Sequence, residues 1–199
     1  MKLRRLIPMS LLLAVVAGCG SVYPGAAAVV DGEEISRTQV DELASTYCVF
    51  MSGQGRAVSQ LDARRQATAD LVAEKVMDDV FAKEGVKITV REYQVSTSER
   101  TGLEEFFEGK TDAVIVLIER NNRIQKGAQK LLRRTNSEIP DADLSKFTTQ
   151  LILQYVDEAR VEIDPRLGIA NDLSGSVPSG SISVPDNSGF ALKATDQMC

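Results

Sequence analysis

Residues 26–43 read AAAVVDGEEISRTQVDEL. Ala26–Val30 is a short apolar run stopped by the turn pair Asp31-Gly32, the pattern of a strand. The strand proper is Ala28–Val30, and no second strand is legible at hairpin distance, so its partner has to come from a remote part of the chain. At Ser36 the period changes. Ser36-Arg37-Thr38-Gln39 has the form of a capping box, a hydroxyl for the amide three residues on and a Gln that reaches back. Val40, Leu43, Ala44 and Tyr47 follow at helical spacing and predict a helix up to the glycines at 53 and 55.

Outward from there the chain is mostly helical in pattern. A long helix is predicted over Val58–Lys83, with Leu61, Val72, Val76, Val80 and Phe81 on its apolar side and Gly85 at its end. Thr89-Val90-Arg91-Glu92 is a second capping-box match and predicts a helix through Tyr93 and Val95. Leu103, Phe106 and Phe107 form a short helical patch closed by Gly109. Ala113–Ile118 (AVIVLI) could be a buried strand by itself. Its continuation through Ile124, Ala128, Leu131 and Leu132 favours one helix over 112–134, buried all round in its first half. Leu144, Phe147, Leu151, Ile152, Tyr155, Val156 and Ala159 mark a last amphipathic helix, with Pro140 and Asp141 at its start. Val161 and Ile163 then alternate with polar residues and Pro165 stops the run, which makes this strand the partner for Ala28–Val30. From Gly168 to Cys199 six Ser, four Gly and two Pro predict a disordered tail, with Ser181–Val184 as a minor candidate for an edge strand. The expected fold is mainly α: a multi-helix domain over 26–167, closed by a small sheet that pairs an N-terminal with a C-terminal strand.

Composition narrows the function. The 199 residues include no His and no Trp, with 23 Lys+Arg against 28 Asp+Glu and a formal net charge of −5. Without His, the Ser-His-Asp, Cys-His and His-metal arrangements are excluded, and no cofactor or small-molecule substrate is indicated. An acidic chain poor in aromatics is not a nucleic-acid binder.

The N-terminus, MKLRRLIPMSLLLAVVAGCG, has a basic start at Lys2, Arg4 and Arg5, an apolar run Leu6–Val16 and small residues before Cys19. That is a signal-peptide layout, and the run is too short for a lasting membrane span, which takes about 20 residues. Val16-Ala17-Gly18-Cys19 resembles a bacterial lipobox. The resemblance implies cleavage after Gly18, a lipid on Cys19, residues 20–25 as a tether, and a mature chain anchored at the extracytoplasmic face of the cell membrane.

The order of parts also resembles the N-terminal domain of SurA-type chaperones, shared in outline with PrsA-like foldases. The matching residues are Val29, Val30, Asp31, Gly32, Ile35, Ser36, Val40 and Asp41, then Gly85–Glu92 (GVKITVRE), and Val161–Gly168 (VEIDPRLG). The resemblance implies a helical domain whose terminal strands meet, and the binding of unfolded or exported polypeptides in apolar grooves. Members of that family carry parvulin isomerase domains of roughly a hundred residues. The chain has no room for one and no histidines for its active site, so a non-enzymatic role is expected, either as a general chaperone or as a dedicated partner-binding lipoprotein.

Candidate residues follow. Cys48 and Cys199 either pair in a disulfide, which persists outside the cytoplasm, or stay apart as a buried small residue and a free thiol. Phe81, Phe106 and Phe107 either line a client groove or are core. Arg120, Arg123, Lys126, Lys130, Arg133 and Arg134 step along one helix and form either a contact for anionic surfaces or a solvated face. Glu104, Glu105, Glu108 and Asp112 read as a charged helix end.

Overall fold

The computed structural model describes residues 25–176 and 198–199. The leader, Cys19, residues 20–24 and the Ser181–Val184 segment lie outside the described residues. Strand β1 (Ala26–Val30) turns at Asp31-Gly32 directly into β2 (Glu33–Ser36), and helix α1 (Arg37–Gly53) follows without a break. Helices α2 (Gln60–Glu84), α3 (Thr97–Phe106), α4 (Thr111–Thr135) and α5 (Asp141–Glu158) lead to β3 (Val161–Ile163). No described helix is long and apolar enough to cross a membrane.

The sheet has the order β2-β1-β3, antiparallel throughout. Ala28 faces Ile163 and Val30 faces Val161, so the expected pairing of remote strands is present. The hairpin is a correction. Asp31 and Gly32 both take positive φ, at 49° and 90°, the geometry of a tight two-residue hairpin turn that right-twisted strands require. β2 escapes the apolar pattern because it is an edge strand: Glu33 and Glu34 face solvent and Ile35 alone is buried. β1, in the middle, is buried along its whole length.

The capping box at Ser36 opens α1 as predicted, with Ser36 Oγ accepting from the Gln39 amide and Gln39 Oε1 from the Ser36 amide. At Thr89 the Glu92 carboxylate takes the Thr89 amide and hydroxyl, but this serves only a 3-10 turn, Val90–Glu92, and not a helix through Val95. The Val95 amide donates to Glu119 instead, and Ser96 begins a new cap for α3. In α4 the AVIVLI stretch is helical but not buried all round. Val114, Ile115 and Leu117 are buried whereas Val116 is 57% exposed. In α2 the buried stripe starts at Ala63, and Leu61 faces out.

The core lies where α2 meets the sheet, α1, α4 and α5, with Met77, Val72, Val30, Val114 and Val156 fully buried. The buried hydroxyls of Thr68 and Thr148 donate to the carbonyls of Arg64 and Leu144, so neither goes unpaired. Close approach of α2 and α4 is possible because residue 127 is glycine: a Cβ there would lie 2.3 Å from Phe81 Cζ. Past Gly168 the chain still packs, through Ile169 and Leu173, onto the core, and Ile169 bridges Ser176. The expected tail boundary therefore falls too early.

Candidate functional site

The phenylalanines separate. Phe81 is a core residue against Gly127 and Ile88. Phe107, from the turn after α3, is buried, and its ring stacks on Phe50 at 5.9 Å between centroids. Phe106 is 71% exposed. Phe106 and Phe107 border a concavity of about 510 Å³ that also touches Cys48, Gly53 and Cys199. Phe81 does not belong to it, so the three do not form one groove.

Cys48 and Cys199 are joined in a disulfide, their Cα atoms 5.2 Å apart. The C-terminus is further held where the Cys199 amide donates to Val58 O and Met198 bridges Ser59.

The basic residues of α4 divide into two groups. Arg120 and Arg123 point at α2. Arg123 forks onto Asp78 Oδ1 at 2.6 Å and Oδ2 at 3.0 Å and reaches Glu74 at 2.8 Å, and Arg120 Nε meets Glu74 Oε2 at 3.1 Å. These forked, half-buried pairs pin α4 to α2 and hold the Arg123 guanidinium above its ordinary range. One turn before Glu74, Asp70 accepts from Tyr47 and from Gln66 Nε2. Burial pushes its carboxyl up to about 7; Arg120 opposes the rise and Glu74 adds to it. Arg120 and Arg123 are thus spent within the molecule and leave the predicted anionic contact, a correction to the six-residue stripe.

Lys126, Lys130, Arg133 and Arg134 stay together. With Lys87 they line a groove of about 640 Å³ between the Gly85–Glu92 stretch, the second half of α4 and the start of α5. Two of the five are anchored on backbone carbonyls as well as acids: Lys130 donates to Lys87 O at 2.7 Å and pairs with Glu92, and Arg133 reaches Ile139 O and Asp141. Arg134 donates to Glu84 O at 2.9 Å. A carbonyl orients a cation without neutralising it, so the wall keeps net positive charge on an acidic chain. Lys130 and the Thr89 amide and hydroxyl hold the Glu92 carboxyl down to about 2. Lys87 and Lys126 are exposed and have no ion pair among the described residues. Leu144 lies in the lining. Residues 87 and 130 are brought together only by packing, so Lys87 and Glu92 could not be assigned to this stripe from α4's spacing. Glu104, Glu105 and Glu108 are exposed, and Asp112 pairs with Arg100 at 2.9 Å.

The groove and Gly25, where the described chain begins, lie at opposite ends of α2. Gly25 O accepts from the Arg37 amide, Arg37 pairs with Asp164, and Arg65 reaches Leu167 O, all near the beginning of α2. Gly85, at the groove, follows the other end, so the two are about 30 Å apart along the helix at 1.5 Å per residue. No protein-family model, no curated protein and no solved structure matches the chain.

Proposed function

We propose that the chain is a non-catalytic polypeptide-binding module of SurA-N-like build, held by a lipid on Cys19 at the extracytoplasmic face of a cell membrane, and that it docks a dedicated partner. The observation that carries the choice of a dedicated partner is the filled space around Phe81. A general holdase binds by covering apolar client surface and needs an open apolar trough between helices. Here Phe81, one of the three residues expected to line such a trough, is core against Gly127. A specific partner needs shape and charge instead, and the basic groove offers both. Its position, about 30 Å along α2 from Gly25, suits display away from the anchor. The holdase reading keeps one observation in its favour, the exposed Phe106 beside Phe107.

The deciding experiment has two arms. The mature full chain, in detergent, is expected to leave the aggregation of several unrelated denatured proteins unchanged at equimolar ratio; suppression of all of them would replace this reading by the holdase. In cells, a photo-crosslinker at Val90 is expected to give one discrete adduct, and a continuous smear would count for the holdase. Mass analysis of the membrane fraction is expected to find acyl chains on Cys19, and an unmodified Cys19 in the mature chain would remove the anchor.

A further inference from the structure

On the binding-module reading above, we infer that the groove between the Gly85–Glu92 stretch, α4 and the start of α5 is the docking site for an acidic segment of a partner polypeptide, one whose carboxylates are spaced by apolar side chains. Four observations select this occupant. The groove reverses the sign of the molecule: the chain carries −5 formally, while five cations and two carboxylates line this wall. Charge complementarity of that kind guides association and rejects basic partners.

The cations left for a ligand are of one type. Both arginines, whose planar forks suit phosphate, are engaged: Arg133 by Ile139 O and Asp141, Arg134 by Glu84 O and Gly85 O. Lys87 and Lys126 remain, exposed point charges without an ion pair among the described residues, each suited to one carboxylate. The groove is not uniformly basic either. Glu92 and Asp141 interrupt it and repel a contiguous polyanion, while a chain with spaced carboxylates avoids them. Apolar surface is interleaved with the charges. Leu144 is in the lining, Phe147 follows at i+3 on the same face of α5 at 39% exposure, and Val90 is 59% exposed on the turn that supplies Glu92. The volume of about 640 Å³ accommodates a few side chains of a bound segment.

The test uses the mature full chain in detergent and two fluorescent probes of equal charge: a synthetic peptide of repeated Glu-Glu-Leu units, and inorganic polyphosphate. The peptide is expected to bind with Kd in the range of about 10–100 μM at low salt and several-fold more weakly at high salt. Lys87→Glu together with Lys126→Glu is expected to weaken it by about tenfold or more. Arg56→Glu together with Lys110→Glu makes the same change of net charge away from the groove and is expected to leave binding as it was. Circular dichroism checks that both variants fold. Three results would overturn the inference: wild-type affinity in the Lys87/Lys126 variant, equal loss in the Arg56/Lys110 variant, or tighter binding of polyphosphate than of the peptide. Crosslinking in cells separates this failure from that of the proposed function. A partner still captured by the Lys87/Lys126 variant sinks the groove and leaves the module; no discrete adduct from the wild type sinks both.

Discussion

Asp70 shows how burial makes one residue's contribution to stability depend on pH. Its carboxyl sits between α1, α2 and α4, accepts from Tyr47 and Gln66, and is pushed from 3.8 up to about 7 chiefly by burial. An acid whose pKa is raised on folding favours the folded state at low pH. Below about 3.8 both states are protonated, and between there and about 7 only the unfolded chain gives up its proton. Stability from this group is therefore drained as pH rises through that window, and the loss is complete above about 7. Asp70→Asn keeps an acceptor for Tyr47 and removes the titration. Urea unfolding across the window is expected to show the wild type losing on the order of 4 kcal/mol relative to the variant, with the variant the more stable at pH 8. A wild-type profile parallel to the variant's would mean that Asp70 ionises freely. None of this was legible in the sequence. Asp70 looks like any surface acid on an amphipathic helix, and its burial depends on Tyr47, 23 residues earlier on another element.

At the scale of elements, local signals were read correctly where they determine structure locally. Ser36 with Gln39 caps α1, and Gly85 ends α2 in the left-handed conformation. They misled where a neighbour overrides them. At Thr89 the Glu92 carboxylate takes the Thr89 amide and hydroxyl, yet Glu119 takes the Val95 amide and the helix never propagates. In β2, the binary pattern fails because one apolar residue is too few to reveal alternation. The turn before it was legible as a turn and carries the hairpin energetically. Gly32 has φ of 90° with open space around its Cα, so the obstacle to a side chain there is backbone strain and not a clash. Gly32→Val is expected to cost ~1–2 kcal/mol in thermal or urea unfolding, while Asp31→Asn, which suits positive φ equally well, is expected to stay within ~0.5 kcal/mol. Equal losses in the two would place the energetic weight in the Asp31 carboxylate, which lies 3.4 Å from Arg160, and not in the turn.

For the molecule as a whole, the first strand and the C-terminus are secured in different ways. The N-terminal strand is clasped non-covalently between β2 and β3, a closure legible because both strands announced themselves and each lacked another long-range partner. The C-terminus is secured covalently by Cys48–Cys199 across a sequence separation of 151 residues. The sequence left that pairing open, since spacing alone cannot say whether two cysteines so far apart come within bridging distance. Folding brings their Cα atoms to 5.2 Å, beside the α1–α2 connection where Cys199 also donates to Val58 O. Closing so long a loop removes much of the freedom of the unfolded chain, worth up to about 5 kcal/mol if the entropic account holds. The last turn of α1 through β3 lies inside the loop, with β1, β2 and residues 37–47 of α1 outside it, so the bridge acts on most of the cooperative unit. Cys199→Ser is therefore expected to lower the unfolding free energy by several kcal/mol, up to about 5, with the far-UV circular dichroism of the native state unchanged. Reductant should lower the wild type by the same amount and leave the variant where it is. Were reductant without effect on the wild type, the thiols would be unlinked in the protein. A variant that lost helical signal as well would show the bridge to be needed for the docking of α1 on α2 and not only for restricting the unfolded chain.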